Sequence, residues 1–180
     1  MTIRSTTDFA QLGKFAMPSK IIAMSSPDDK RIAILDDAGR VSLRILATES
    51  TTNLGTFPVA RDAWQNAIKL LAYSENAKSR WLVVQSNRIE AFAEESEQSA
   101  WNIALNDGDS LVGQPVVEPG TLTLTLASGR IAKYALATGR QIEMKELDST
   151  LAKPARAAKP FGLRKWIMPM LDGTVRVIDM

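Results

Sequence analysis

The sequence predicts an all-β repeat fold of about four four-stranded antiparallel blades, and three observations carry that expectation. The stretch 121–139, TLTLTLASGRIAKYALATG, alternates apolar and polar residues on both sides of a Ser128-Gly129 corner. Successive side chains of a strand point to opposite faces, so Leu122, Leu124 and Leu126 line one face of a hairpin and Thr121, Thr123 and Thr125 the other. Residues 20–35, KIIAMSSPDDKRIAIL, align without a gap with residues 69–84, KLLAYSENAKSRWLVV, at an offset of 49, apolar facing apolar. The first apolar residue after each hairpin corner, Val41, Ile89, Ile131 and Val175, recurs at spacings of 48, 42 and 44 residues. That period is the length of one four-stranded β-propeller blade.

The blades follow in order. The first, 20–59, is read as strands Lys20–Ser25, Arg31–Asp36, Arg40–Ala47 and Thr52–Val59, with Gly39 at the hairpin corner. The second spans 69–106, turning at Ser86-Asn87 and ending in an outer strand Ala100–Asn106. Residues 60–73, ARDAWQNAIKLLAY, have helix-like spacing, but their last six residues align with the first inner strand; only Arg61–Ala67 is left as an extra helical turn. The third blade, 114–147, reads Gln114–Glu118, Thr121–Ala127, Arg130–Leu136 and Gln141–Leu147. The fourth, 152–180, has an inner strand within Ala152–Ala158 and a hairpin turning at Asp172-Gly173. Ser128-Gly129 and Asp172-Gly173 suit two-residue hairpin turns. Pro169 removes a ladder donor inside the fourth hairpin, which predicts a bulge or an interrupted strand.

The N-terminal QLGKFAM, 11–17, echoes the first outer strand NLGTFPV, 53–59. This predicts that residues 8–17 complete the fourth blade, within the chain or in a twofold mate, and cover an edge that would otherwise template pairing. The whole of 1–180 is read as one repeat domain. Four such blades are read as half of a larger ring, a fragment, or an unusually small ring, and a homodimer that completes a larger ring is one expected arrangement.

Composition narrows function. Of 180 residues 45% are apolar and 23% charged, the balance of an ordinary globular core. Twenty-two basic and twenty acidic residues leave a net charge of +2, so nucleic acid is not an expected partner. There is no Cys and no His, which removes thiol chemistry, the commonest metal ligand and the commonest general base. Neither a signal peptide nor a membrane span is read: MTIRSTTDFA lacks an apolar core and no apolar run approaches eighteen residues. The compartment stays open.

Thr138-Gly139, and Asp172-Gly173 with Val177-Ile178-Asp179, resemble the blade endings of pyrroloquinoline-quinone-like (PQQ-like) bacterial β-propellers, a WD-repeat-like architecture. The resemblance implies a ring of seven or eight blades. It also raises a quinoprotein dehydrogenase as an alternative activity, which would need calcium-binding carboxylates and an Asp base around the cofactor. The pattern departs from that family at Ala135, where it would have Asp, and at Glu143, where it would have Trp. No redox cofactor and no metal are therefore expected, and catalysis is not the leading reading.

Two sets of candidate binding residues remain. Arg40, Arg88 and Arg130 each follow a hairpin corner, with Thr174 in the fourth copy, and guanidinium groups there suit the carboxylates of a protein partner. An outward position that simply favours a long polar side chain explains them more economically. Lys153, Arg156, Lys159, Arg164 and Lys165 form an acid-free basic stretch that suits an anionic surface, nucleic acid or lipid headgroups, or else a solvated loop. Asp28-Asp29, Asp36-Asp37 and Asp107-x-Asp109 read as turn residues. Trp81 and Trp166 share a repeat position with Ile32 and read as core; Trp64, Trp101 and Tyr134 read as packing between blades. The leading expectation is a non-catalytic scaffold for protein–protein contacts.

Overall fold

A computed structural model describes residues 2–4, 11–16, 19–26, 28, 30–59, 68–75, 78–94, 96–106, 108–148, 152–162 and 164–180. The strands are β1 (Thr2–Arg4), β2 (Gln11–Lys14), β3 (Ile21–Ser25), β4 (Arg31–Asp36), β5 (Arg40–Ile45), β6 (Ser50–Thr56), β7 (Lys69–Glu75), β8 (Lys78–Gln85) and β9 (Arg88–Ala93). They continue with β10 (Ser99–Ala104), β11 (Val116–Glu118), β12 (Thr121–Thr125), β13 (Arg130–Ala135), β14 (Gln141–Glu146), β15 (Lys159–Pro160), β16 (Lys165–Pro169) and β17 (Val175–Asp179). Among the described residues these form three four-stranded sheets, β3-β4-β5-β6, β7-β8-β9-β10 and β11-β12-β13-β14, a three-stranded sheet β15-β16-β17, and a two-stranded sheet β1-β2. No helix among them is long and apolar enough to cross a membrane. The expected helical turn at Arg61–Ala67 and Trp64 lie outside the described residues, while residues 69–73 are strand, as the repeat requires.

The chain packs as two units, Met1–Gln85 with Ile89–Asn102, and Ser86–Arg88 with Ile103–Met180. In the first, the register Leu35↔Val41 and Ala33↔Leu43 puts four apolar side chains on one face of the first sheet. That face meets Leu70, Trp81, Val83 and Phe92 of the second sheet, each buried side chain contributing about 1.5–3 kcal/mol. The sheets approach so closely at Gly55, φ 135°, that a Cβ there would lie 2.9 Å from the Glu97 carbonyl oxygen and 3.0 Å from the Phe92 ring. In the second unit Ile131 of the third sheet packs with Trp166, Met168, Met170 and Ile178 of the last. Thr125 Oγ1 joins the same two sheets by accepting the Ala158 N–H at 2.8 Å.

Four expectations are corrected. The Gly corners are three-residue loops: the Gly129 N–H donates to the Leu126 carbonyl and the Leu126 N–H to the Arg130 carbonyl, with Gly129 at φ 94°. Gly173 repeats this against Met170 and Thr174. Only the glycine takes positive φ in each loop, so a type I turn followed by a left-handed Gly replaces the two-residue turn, which needs its first or both central residues there. The fourth inner strand is not within Ala152–Ala158 but at Lys159–Pro160, with one isolated bridge, Pro154↔Met170, before it.

Pro169 accounts for that gap. The hairpin β16–β17 runs without a register shift from Lys165↔Asp179 to Pro169↔Val175. Because Met170 bonds Thr174 across the hairpin, the odd-numbered residues of β16 turn their backbone groups the other way, toward the inner strand. There the Pro169 carbonyl accepts from the Ala155 N–H at 2.9 Å, and the proline has no N–H to return. The interruption therefore falls on the inner side. Lastly, the described part of 8–17 pairs with β1 and not with the last sheet: Thr2↔Lys14 and Ile3↔Gly13 are in register. Phe15 is buried under the Arg44 guanidinium, 5.5 Å from its ring centre, and the Lys14 N–H donates to Glu49 Oε1, which anchors β2 beside the first sheet.

Candidate functional site

Two of the hairpin corners, the first and the third, are ion-paired clamps. At the first, the Asp36 carboxylate is buried and accepts the Ala38 N–H at 3.0 Å, the Arg40 N–H at 2.9 Å and Arg40 Nε at 2.8 Å. Arg40 also donates to Ser19 Oγ at 2.6 Å. At the third corner Asp109 accepts the Ser110 and Ser128 N–H groups at 3.0 and 3.1 Å, Ser128 Oγ–H at 2.9 Å and Arg130 at 2.6 Å. Burial alone would push the Asp109 carboxyl up, but the Arg130 guanidinium and the Ser128 and Ser110 donors outweigh it and hold the group below the usual carboxylate range. In the fourth copy Asp172 accepts both the N–H and the hydroxyl of Thr174, which likewise lowers its pKa.

Of the three predicted arginines, Arg40 and Arg130 thus spend donors on carboxylates of their own corners; Arg88 is half-buried at the first position of β9. The turn reading of Asp28 and Asp36 stands, with more added. Asp28 holds Arg31 at 2.6 Å, and Arg31 reaches on to Ser79 Oγ at 2.9 Å and Glu94 at 3.3 Å, tying the first two sheets together. The Arg31 bond is the largest of the effects that lower the Asp28 pKa. Nothing in the sequence marked Arg31 except its recurrence as Arg80 at the repeat offset.

A cavity of about 150 Å³ opens beside the Asp109 clamp, lined among others by Asn106, Arg130, Tyr134, Gln141 and Met144. Burial pushes the Tyr134 hydroxyl up, so it stays protonated, while Asp109 stays ionised with both oxygens engaged. Neither is poised as a base or nucleophile. Among the described residues no group of three or more acidic, His or Cys side chains could hold a metal ion.

Lys153, Arg156, Lys159, Arg164 and Lys165 are all exposed. Lys159 lies on β15, Lys165 is paired in register with Asp179, and Arg164, at φ 61°, donates to the Met180 carbonyl at 3.3 Å. The basic stretch is thus distributed along a strand edge and its loop, with an acidic neighbour. Trp81, Trp101, Tyr134 and Trp166 are buried as read.

The sequence did not reveal the state of the last sheet. Val41, Ile89 and Ile131 are fully buried, but Val175, at the same repeat position, is 60% exposed and Val177 59%. They flank the half-buried Ile167 through the register Ile167↔Val177. The hydrogen bonds across the hairpin use the even-numbered residues of β17, which leaves the backbone groups of Val175 and Val177 on its outer edge. In the other three blade sheets that edge carries a fourth strand.

No family model matches this chain, and no curated protein does. Among solved structures it is similar to two computationally designed proteins. Ika8 is matched over 99% of this chain and 52% of its own at TM-score 0.67 and 12% identity, and Ika4 over 95% and 98% at 0.59 and 14%. BamB from Moraxella catarrhalis is matched over 95% of this chain and 49% of its own at 0.62 and 17%, and BBS1N, solved in complex with ARL6DN, over 95% and 55% at 0.61 and 16%. The chain spans about half the length of Ika8, BamB and BBS1N. BamB and BBS1N are β-propeller proteins, and the present fold is an all-β array of propeller blades.

Proposed function

We propose that this chain is a non-catalytic β-propeller module, PQQ-like in its blade pattern, that binds protein partners. The observation that carries this reading is the bare face and edge of β17: Val175 is exposed where three equivalent positions bury valine or isoleucine, and Val177 beside it is exposed as well. An apolar face beside backbone N–H and C=O groups that pair with no strand among the described residues is a surface that another polypeptide can complete by packing and strand addition. The inert protonation states of Asp109 and Tyr134 support binding over catalysis, and BBS1N offers a propeller precedent solved with a protein bound. A photo-crosslinking amino acid at position 177 of the full chain, in cells that make it, tests this. Covalent protein adducts identified by mass spectrometry are expected at 177 and not at the exposed β6 position 51. No adduct, or equal yields at both positions, refutes the proposal.

A further inference from the structure

We infer that the cavity beside the Asp109 clamp is a binding site for an uncharged, hydroxyl-rich ligand, one edge of a sugar ring. The cavity lies within the second unit, between the end of β10 with the loop after it and the face formed by β13 and β14. Tyr134 lines it and is 8% exposed, yet its hydroxyl bonds to nothing among the described residues. A buried tyrosine hydroxyl ordinarily finds a partner. Packing alone does not call for one here: at the same repeat position the second sheet has Phe92, fully buried without a hydroxyl. The charges of Arg130 and Asp109 both act on the Tyr134 hydroxyl, so it sits beside the clamp, and burial keeps it protonated as a donor.

The clamp sets what a ligand must supply. Each Asp109 oxygen already accepts two hydrogen bonds, which uses a carboxylate's full capacity. Arg130 is held by Nε on Ser128 and Nη2 on Asp109, while its Nη1 bonds to nothing among the described residues. Arg130 and Tyr134 therefore offer donors from fixed positions, and the exposed amides of Asn106 and Gln141 offer both donors and acceptors. A hydroxyl both accepts and donates, so adjacent hydroxyls match this set. An anion fits less well, because Asp109 cancels the Arg130 charge and Glu146 lies opposite Arg130 on the same face of the sheet. Leu126 and Met144 add apolar wall for ring carbons. A volume of about 150 Å³ holds about five waters, which is room for one edge of a pyranose and not for a longer glycan.

Saturation-transfer difference NMR of the intact chain with methyl α-glucoside, methyl α-mannoside and methyl α-galactoside tests this, with proton–nitrogen correlation spectra to locate the contact. Binding of at least one glycoside is expected with a Kd of about 1–10 mM, shifting the side-chain amides of Asn106 and Gln141. Tyr134→Phe is expected to keep Tm, as Phe92 at the sister position implies, and to weaken binding about 3- to 10-fold through one lost hydrogen bond. Ile142→Ser, exposed on β14 and outside the cavity, leaves binding unchanged. Lactate, an anion that carries a hydroxyl, does not displace the glycoside. No binding by any of the three glycosides, amide shifts confined to other residues, binding unchanged by Tyr134→Phe, or lactate held more tightly than the glycosides overturns the inference.

Discussion

Replacing Asp109 by alanine removes the acceptor of four hydrogen bonds at the third corner and leaves Arg130 without its carboxylate. Breaking a buried ion pair from one side costs about 3–5 kcal/mol. The Arg130 side chain is 25% exposed, so water recovers part of its solvation and the expected loss is about 2–3 kcal/mol. For a chain of this length that lowers Tm by roughly 4–12 °C. Urea titration followed by tryptophan fluorescence reads the loss, and a cycle with Arg130→Met isolates the pair. The pH dependence has a definite sign. The folded Asp109 pKa lies below its ordinary value of 3.8, so the clamp contributes fully above that value and is lost as pH falls through the folded pKa. The gap between wild type and Asp109→Ala is therefore flat from neutral pH to about 5 and closes below about 4. A loss under about 1 kcal/mol at pH 7, a gap that persists in acid, or additivity with Arg130→Met refutes the clamp.

Two further comparisons use neighbouring positions as controls. Thr123 and Thr125 share one face of β12 and are both buried, but Thr123 Oγ1 has no partner while Thr125 Oγ1 accepts the Ala158 N–H. Thr123→Val is expected to be neutral or stabilising, and Thr125→Val to cost about 1–3 kcal/mol, by denaturant titration. Gly39 and Gly120 both have positive φ, but a Cβ at Gly39 would run into the Phe57 carbonyl oxygen whereas none lies within 4 Å at Gly120. Gly120→Ala is expected to cost about 1–2 kcal/mol from φ alone, and Gly39→Ala distinctly more; equal Tm shifts would show that the corner relaxes freely.

The hairpins were legible because apolar and polar side chains alternate between their two faces. A slip of one residue would turn Leu122 and Leu124 to the wrong side, so alternation specifies both strand and register. The same logic settles 68–73, where repeat alignment outweighs helix-like spacing. Turn type was not legible, since a Gly corner serves either turn and only the φ of its neighbours distinguishes them. Nor was the partner of β2. Leu-Gly-x-Phe records how Leu54, Gly55 and Phe57 pack against the second sheet, and a pattern of packing requirements does not say which sheet supplies the packing. Phe15 finds its cover beneath Arg44 on the first sheet instead.

The site divides in the same way. Arg40 with Asp36 is four residues apart and readable as a corner, whereas Arg130 with Asp109 spans 21 residues and Arg31 with Glu94 spans 63, so their pairing depends on sheets brought together by the apolar faces. Once those carboxylates are engaged, the corner arginines have less to offer a partner than their repetition implied. The exposed apolar face at Val175 and Val177 was visible in the sequence only as one more turn of the period. Equivalence in a repeat fixes which residue is made for burial; it leaves open whether anything in the chain buries it. Valine at 60% exposure, where three sister positions are fully buried, marks a face made for burial that the described residues leave open.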